Sequence, residues 1–263
     1  MEPMANIALR AARGAADFIA QSFDRPDRRE IRTKARNDFV SDVDINAERI
    51  IIEAITQTYP DHAILAEESG APTKESEYTW IIDPLDGTLN FLQSIPHFCV
   101  SIAVKKGKHL EHGVIVDPIR HEEFVASRGK GAQLNGKRIR VSSRAKLADC
   151  VLGTGIPPGS MDRLDYYMDT LKAFTGECRG IRRGGSAALD LAYVAAGRTD
   201  GFWEMGLSQW DIAAGIVLIR EAGGFIGDLD GGENYWSSGD IVAANPKAMR
   251  AMVSTLRAQK PLL

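Results

Sequence analysis

The segment Asp83-Pro84-Leu85-Asp86-Gly87-Thr88 constrains this chain more than any other, because it places two carboxylates three residues apart around a proline. Residues 79–82 before it are apolar and β-favouring, which predicts a buried strand that ends at Asp83. The proline keeps Asp83 out of the helical conformation. The closing glycine and threonine predict a short helix whose free N–H groups can hold an anion such as phosphate. Since Mg²⁺ binds carboxylate and phosphate oxygens, the segment suggests metal-assisted phosphate chemistry.

Purely structural interpretations of the same segment remain open at this point. Asp86 can cap the following helix, and Asp83 can accept backbone N–H groups at the end of a strand. A calcium-binding EF-hand loop is disfavoured, since the alternating Asp-x-Asp-x-Asp-Gly pattern and its later glutamate are absent. The other acidic segments of the chain therefore decide between a metal site and a structural turn.

Composition narrows the classes of protein without identifying one. The 263 residues carry a formal net charge of −3, which gives no general attraction to nucleic acid or to an anionic membrane. Cys99, Cys150 and Cys178 are widely spaced and predict neither a disulfide framework nor a zinc site. No run approaches the roughly 18 apolar residues of a membrane span, so we expect a cytoplasmic protein. The charged stretch 24–36 lacks interleaved aromatic residues, which favours a solvated connection over an RNA-binding patch.

Hydrophobic periodicity predicts two halves with different organisation. Residues 1–145 are expected to form an α+β half, whose antiparallel sheet carries most of the metal ligands, and residues 146–263 an α/β half. We expect one compact catalytic unit with its cleft between the halves. The predicted helices cover 4–23, 42–59, 161–174, 186–196, 211–222 and 246–258, and the predicted strands cover 63–66, 78–83, 98–105, 110–117, 122–127, 149–154, 179–182, 200–204 and 240–244.

Further acidic residues stand where the predicted elements begin or end. Glu67 and Glu68 follow a short apolar run, although paired glutamates are more often solvated surface charges. Asp211 opens a predicted helix, where it fits an N-cap as well as a metal ligand, and a carboxylate has lone pairs for both. The five histidines lack the spacing of metal ligands, and His97 is interpreted as a packing or loop residue.

These segments together resemble the signatures of a known family. Glu67-Glu68-Ser69, the hexapeptide at 83–88, and Trp210-Asp211 followed by residues 221–224 are similar to three signatures of the inositol monophosphatase family. Asn37 to Asp44 and Gly185 to Ala188 resemble two more of its segments. The likeness covers nearly the whole chain and is greatest for the bacterial SuhB-type branch. It implies a layered α+β and α/β sandwich with alternating α-β-α-β-α layers, like the fructose-bisphosphatase-like sugar phosphatases.

The resemblance implies a cofactor of two to three Mg²⁺ ions. The first would be bound by Glu67, Asp83 and the backbone carbonyl of Leu85, and the second by Asp83, Asp86 and Asp211. The four carboxylates together balance two divalent cations, so a third, weaker ion would offset the phosphate of the substrate. This arithmetic and the family resemblance imply a need for millimolar Mg²⁺ and sensitivity to Li⁺.

The resemblance also implies catalytic and substrate-binding residues. Thr88 and Asp44 resemble the pair that orients and deprotonates the attacking water beside Glu67, and Lys34 resembles a lysine on the loop near the outer metal. The amides of Gly87 and Thr88 would hold phosphate. The positions that resemble contacts to the inositol hydroxyls are Gly185, Ser186, Ala187, Glu204 and Asp211.

The sequence favours one reaction and leaves others open. The first expectation is Mg²⁺-dependent hydrolysis of inositol-1-phosphate to myo-inositol and phosphate by an activated water, with no covalent nucleophile. Bisphosphate nucleotidase, sugar bisphosphatase and histidinol-phosphate phosphatase activities remain alternatives. Relatives are usually homodimers, and the SuhB-type resemblance implies RNA polymerase and Nus factors as partners in ribosomal RNA antitermination, in addition to catalysis.

Overall fold

The computed structural model describes residues 1–23, 31–35, 38–70, 74–156 and 163–260, with the backbone alone at 31–35 and 38–40. Over these residues the elements in chain order are α1 (Pro3–Phe23), β1 (Ile31–Ala35), β2 (Asp38–Ser41), α2 (Asp42–Thr56), β3 (Ala63–Ala66), β4 (Tyr78–Asp86), α3 (Thr88–Leu92), β5 (Cys99–Lys106), β6 (His109–Asp117), β7 (Glu122–Ser127), β8 (Gly131–Leu134), β9 (Lys137–Arg138), β10 (Val151–Thr154), α4 (Leu164–Glu177), β11 (Gly180–Arg182), α5 (Ala187–Ala195), β12 (Gly201–Glu204), α6 (Gln209–Glu221), β13 (Phe225–Gly227), α7 (Tyr235–Ser238), β14 (Ile241–Ala244) and α8 (Pro246–Ala258).

Two sheets organise the described chain. The first has seven strands in the order β3-β4-β5-β6-β7-β8-β9, antiparallel except for the parallel pair β3 and β4. The second has five strands in the order β11-β10-β12-β14-β13, in which β10 runs parallel to both of its neighbours. The strands β1 and β2 form a separate antiparallel hairpin.

Alternating side chains explain why the sheets are covered on both faces. In β4, Trp80 and Ile82 pack toward α1 and α2, whereas Ile81 belongs to a core that includes α5 and α6. This is the period of two expected of a strand. The core around α5 and α6 also contains Phe202 and Ala243 of the second sheet. The opposite face of that sheet packs on α4 and α8. The molecule is therefore a five-layer α-β-α-β-α sandwich, which confirms the predicted fold class.

Helix α1 can lie close to the first sheet because its buried face consists largely of alanine. Ala8, Ala12, Ala15 and Ile19 follow the spacing of three and four residues that brings side chains onto one face of a helix. All four are fully buried, in the cluster that also contains the apolar side of α2. Among the described helices, none combines the length and apolar character needed to cross a bilayer.

The structure departs from the predicted elements at several places. Strand β4 continues to Asp86 rather than ending at Asp83, with an irregular register between these two residues. The stretch 24–36 is predicted to be a solvated connection, yet 31–35 pair as β1. Strands β8, β9 and β13 and helix α7 are each at most four residues long, and such short segments show no clear periodicity.

Helix α6 lies unusually close to the first sheet. Neighbouring strands present Ala103, Gly113 and Ala126 side by side beneath it. A Cβ atom on Gly113 would lie 2.6 Å from the carbonyl oxygen of Ala214 in α6, which no real Cβ contact allows. The missing side chain at Gly113 thus sets how close the helix comes to the sheet, and with it the position of Asp211 at the start of α6.

We expect the Gly113→Ala variant to lose about 1–3 kcal/mol of unfolding free energy, because the added methyl group must push α6 away from β6. Urea denaturation measures this change. Gly176→Ala in α4 is the matched control, since nothing lies within 4 Å of the added methyl group and alanine favours a helix by about 1 kcal/mol over glycine. Equal effects of the two substitutions would contradict the close packing of α6 on β6 at Gly113.

Candidate metal centre and active site

Asp83 is held at the point where β4 leaves its regular pairing. It pairs with Ser101 of β5, and the next register pair joins Asp86 to Cys99. The backbone N–H of Leu85 donates to Asp83 Oδ1 at 3.0 Å. Only 1% of Asp83 is exposed. The bulge therefore presents a buried carboxylate with one oxygen already oriented by the backbone.

Three carboxylates converge around this bulge. Oxygen atoms of Asp83, Asp86 and Asp211 all lie within 4.8 Å of one another. Asp211 comes from the first turn of α6, more than a hundred residues further along the chain, and its Oδ2 also accepts from the backbone N–H of Ser208 at 2.7 Å. Asp211 thus both caps α6 and belongs to the carboxylate cluster. Carboxylate oxygens at this spacing suit a hard cation such as Mg²⁺.

The negative charges of this cluster destabilise one another as long as no cation balances them. Burial raises the pKa of Asp83 well above its usual value, and the charges of Glu67, Asp86 and Asp211 raise it further. Burial and then the charge of Asp86 likewise raise the pKa of Asp211. Both shifts reflect the free-energy cost of removing a negative charge from water and placing it beside like charges. A bound cation would remove that cost.

Glu67 stands at the edge of the cluster. Its backbone N–H donates to the carbonyl of Ile82 at 3.1 Å, which fixes the loop after β3 against β4. Its carboxylate is outside the 4.8 Å group, although its charge raises the pKa of both Asp83 and Asp211. The next residue is anchored by a contact that the sequence did not reveal, since the N–H of Glu68 donates to the buried Glu48 of α2 at 2.8 Å.

A second group of hydrogen bonds joins α2 to the bulge. The hydroxyl of Thr88 lies 2.9 Å from Asp44 Oδ1 and 3.0 Å from the carbonyl oxygen of Leu85. The other carboxylate oxygen of Asp44 accepts from the N–H and the hydroxyl of Ser41, which caps α2. Burial raises the pKa of Asp44, and the hydrogen bonds from Ser41 and Thr88 partly offset that rise. Ser41 is a contributor that sequence reasoning missed.

The first turn of α5 is tied to Asp86. The Ser186 hydroxyl and the Ala188 N–H both donate to Asp86 Oδ2, at 2.6 and 2.7 Å. Burial raises the pKa of Asp86, and these donors work against the rise. The N-terminus of a helix favours a negative charge. The structure therefore brings Ser186 and Ala187 beside the carboxylate cluster.

Glycine is required where the α5 turn meets the bulge. Gly87 has φ of 98° and Gly185 has φ of 87°, a region that side chains rarely adopt. A Cβ on Gly87 would lie 3.3 Å from the carbonyl oxygen of Gly185. Asn90 of α3 donates to the carbonyl of Gly184 at 2.9 Å and closes the same contact from the other side.

Asp190 of α5 and Glu204 of β12 add two more buried carboxylates. Burial and the charge of Asp190 raise the pKa of Glu204 well above its usual value. A Cβ on Gly155 would overlap the Glu204 carboxylate, so the glycine leaves room for it. Asp190 has one carboxylate oxygen with no hydrogen-bond partner among the described residues, and the charge of Arg183 lowers its raised pKa. Sequence reasoning missed Asp190, although a lone acid within the apolar Ala187–Ala195 helix was a usable signal.

His97 packs edge-on against Tyr193, at 5.9 Å between ring centroids, and its Nε2 is buried without a partner among the described residues. This agrees with its interpretation as a packing residue. Lys34 belongs to β1, and its side chain lies outside the described part of the structure.

A carboxylate cluster of this kind, held in a five-layer sandwich, fits the metal site of a metal-dependent phosphatase. A model of the inositol monophosphatase family matches residues 1–261, and the chain belongs to that family. The Nus factor SuhB of Escherichia coli is 50% identical over 258 residues, which cover 98% of this chain and 97% of that protein.

Solved structures agree with this assignment. The extragenic suppressor protein suhB from Bartonella henselae is 42% identical with a TM-score of 0.95, over 97% of this chain and 99% of that chain. An inositol monophosphatase from Anabaena (Nostoc) sp. PCC 7120 is 35% identical with a TM-score of 0.85, over 98% of this chain and 97% of that chain. The prediction of the family from the sequence is thereby confirmed.

The Asp83→Asn variant is expected to unfold at a higher temperature than the unchanged chain in metal-free buffer at pH 7, by about 2–4 °C. Asparagine keeps the acceptor for the Leu85 N–H but removes a buried charge. Because the folded-state pKa of Asp83 lies above its unfolded value of about 3.9, its contribution to stability is present at low pH and is lost as pH rises through the folded-state pKa. The gain should therefore shrink toward pH 4. Thermal unfolding with and without Mg²⁺ measures both effects.

The control for this experiment is Asp169→Asn, which changes an exposed carboxylate of α4. It should leave both the metal-free midpoint and the stabilisation by Mg²⁺ unchanged. Asp83→Asn should instead lose most of the Mg²⁺-induced rise. A metal-free Asp83→Asn protein that unfolds earlier than the unchanged chain would refute the claim that charge repulsion dominates at this site.

Proposed function

We propose that the protein is a Mg²⁺-dependent phosphomonoesterase that hydrolyses inositol-1-phosphate to myo-inositol and phosphate. The observation that carries this proposal is the convergence of Asp83, Asp86 and Asp211 to within 4.8 Å. It is supported by the family assignment and by the hydrogen-bonded pair of Thr88 and Asp44 next to that cluster. No nucleophilic cysteine or serine motif competes with this interpretation.

The carboxylates of this site supply the ligands for the metal. Glu67, Asp83, Asp86 and Asp211, together with the carbonyl oxygen of Leu85, would hold two to three Mg²⁺ ions, the ligand set that hard cations prefer. When bound, Mg²⁺ makes a coordinated water more acidic and stabilises the charge that develops on phosphate and leaving-group oxygens. The protein contributes a rigid arrangement, since Asp83 is oriented by Leu85 N–H, Asp86 by Ser186 and Asp211 by Ser208.

Thr88 and Asp44 are suited to take a proton from the attacking water. When the Thr88 hydroxyl donates to Asp44 Oδ1, a lone pair on its oxygen is left to accept a hydrogen bond from water. The raised pKa of Asp44 makes its carboxylate a better base than an exposed aspartate. Ser41 holds the far oxygen of Asp44, so the carboxylate keeps its orientation toward Thr88. Glu67 is proposed to assist this pair.

The rim of the crevice can bind the remainder of the substrate. The N–H groups of Gly87 and Thr88 lie at the start of α3, where a helix leaves them without internal partners, and are proposed to hold phosphate. Polyol hydroxyls are proposed to meet the turn formed by Gly185, Ser186 and Ala187. The carboxylate of Glu204 can accept hydrogen bonds from such hydroxyls, and Lys34 is proposed to approach the outer metal.

The enzyme should release phosphate from inositol-1-phosphate only when Mg²⁺ is present. Asp211→Asn and Thr88→Ala should each lower kcat by about a hundredfold or more, because one weakens metal binding and the other removes the path for the proton. Thr88→Ser should keep most of the activity, since it retains the hydroxyl. A malachite green assay of phosphate release measures these rates.

Asp169→Asn is the matched control and should retain full activity. Full activity in Asp211→Asn would overturn the proposed metal site. If all variants behave as expected but a nucleoside bisphosphate, a sugar bisphosphate or histidinol phosphate is hydrolysed faster, then the reaction class holds and the proposed substrate is wrong.

A second role is favoured by the names of the relatives. The Escherichia coli and Pseudomonas aeruginosa proteins, at 50% and 49% identity, are Nus factors. We infer that this chain also takes part in transcription antitermination, through RNA polymerase or Nus factors as partners. Such a role depends on surfaces that carry no short sequence signature, so it is compatible with the full set of carboxylates.

The binding role should be separable from catalysis. Purified Asp83→Asn protein, which should lack hydrolytic activity, is expected to retain RNA polymerase or Nus factors of the same organism in a pull-down as well as the unchanged chain does. The reason is that the substitution lies in a buried crevice and leaves the surface intact. Failure of both proteins to retain any of these factors would count against the inferred role, while leaving the phosphatase proposal untouched.

A further inference from the structure

A cavity of about 530 Å³ lies away from the carboxylate cluster, at the opposite end of α6. Its walls come from the turn between β5 and β6, from the last turns of α6 and from α7. Arg220 of α6 lines it, nine residues after Asp211, so the rise along the helix places the two about 14 Å apart. The cavity is therefore separate from the proposed active site, and neither of the functions proposed above makes use of it.

The lining of this cavity is strongly cationic although the chain as a whole is acidic. Lys105, Lys108, Arg128 and Arg220 all face it, and Glu221 is its one carboxylate. That carboxylate is already engaged, because its two oxygens accept from the backbone N–H groups of Gly129 and Gly131, both at 2.7 Å.

Most of the cations remain available to a ligand. Arg128 pairs with Glu111 at 3.0 Å. Across the described part of the chain, no carboxylate lies within ion-pair distance of Lys105, Lys108 or Arg220. A local excess of cations around a concave space attracts anions and raises their concentration there.

An aromatic and apolar wall faces these cations. The ammonium of Lys105 stands 5.7 Å from the ring centroid of Trp236, and the guanidinium of Arg220 donates to the Tyr235 hydroxyl at 2.6 Å. Ile216 and Val217 of α6 complete the apolar side. Trp236 is half-buried, so part of its ring is open to the cavity. The arrangement offers a flat surface for stacking beside charged groups that can bind phosphate.

We propose that this cavity binds a small aromatic anion of the size of a nucleoside monophosphate. Its volume is within the range of roughly 300–1,000 Å³ that small-molecule sites occupy, and it is far larger than an inorganic phosphate needs. The phosphate would be held by Lys105, Lys108 and Arg220, and the base would stack on Trp236. Stacking on an aromatic side chain tolerates any base, so the class of ligand is defined by charge and ring rather than by base identity.

Isothermal titration of the full-length chain with adenosine monophosphate tests this proposal. Binding should persist in metal-free buffer, where the carboxylates of the other site repel anions and cannot account for it. Lys105→Met should weaken binding about tenfold by removing one charged contact. Trp236→Leu should weaken it by a similar factor, and Trp236→Phe should largely preserve it.

Controls establish whether the nucleotide binds in this cavity and through both its ring and its phosphate. Lys247→Met removes an exposed cation on α8, away from the cavity, and should not change the affinity. Adenosine, ribose 5-phosphate and inorganic phosphate should each bind at least about tenfold more weakly than the nucleotide. The proposal is overturned if no saturable binding is seen, if binding requires Mg²⁺ and disappears in Asp83→Asn, or if ribose 5-phosphate binds as well as the nucleotide.

Discussion

Mutual repulsion between carboxylates is the constraint around which this fold is arranged. Asp83, Asp86 and Asp211 bring their oxygens within 4.8 Å of one another, and Asp83 is buried. Such an arrangement is costly, since the charges of Asp86 and Asp211 raise the pKa of Asp83 and the charge of Asp86 raises the pKa of Asp211. The convergence is maintained by packing elsewhere, above all by α6 pressed onto the first sheet over Gly113. The energy that holds the charges together thus comes from the apolar core shared by both sheets.

Two helix N-termini make this arrangement less costly. The first turn of α5 directs the Ser186 hydroxyl and the Ala188 N–H at Asp86, and the first turn of α6 directs the Ser208 N–H at Asp211. Each carboxylate therefore keeps one oxygen satisfied by the protein and has lone pairs left for a cation. A helix end also carries partial positive charge. The same groups position the ligands and partly neutralise them, which explains why a single side chain can be both a cap and part of the cluster.

Helix α6 connects two regions of opposite charge. Its N-terminal turn carries Asp211 into an acidic crevice, and its last turn carries Arg220 into a cationic cavity beside Trp236. The acidic crevice requires a cation before it can attract an anion, whereas the cationic cavity attracts anions directly. The two regions are thus expected to differ in their dependence on metal ions, although one rigid helix joins them.

Much of the candidate site could be predicted from sequence, because its ligands stand next to residues that clearly mark the end of a strand or the start of a helix. Asp83 follows an apolar strand and precedes a proline, and Asp211 opens a helix with clear hydrophobic periodicity. Their positions at a strand end and a helix start could therefore be predicted from the sequence. The long helices and most strands of both sheets were predicted within a few residues for the same reason. Strands as short as β9 and β13 were missed because two or three residues show no periodicity.

The sequence alone determined the acidic residues at the ends of regular elements, which depend on local pattern, and its resemblance to known signatures implied the family and the layered fold. Only the tertiary structure decided how the acids meet. The hydrogen bond from the Glu68 N–H to the buried Glu48 and the one from the Thr88 hydroxyl to Asp44 join residues far apart in the chain and have no local signature. The cationic cavity at the end of α6 arises in the same way, because its side chains come from separate turns that only the packing of α6 and α7 against the β5–β6 turn brings together.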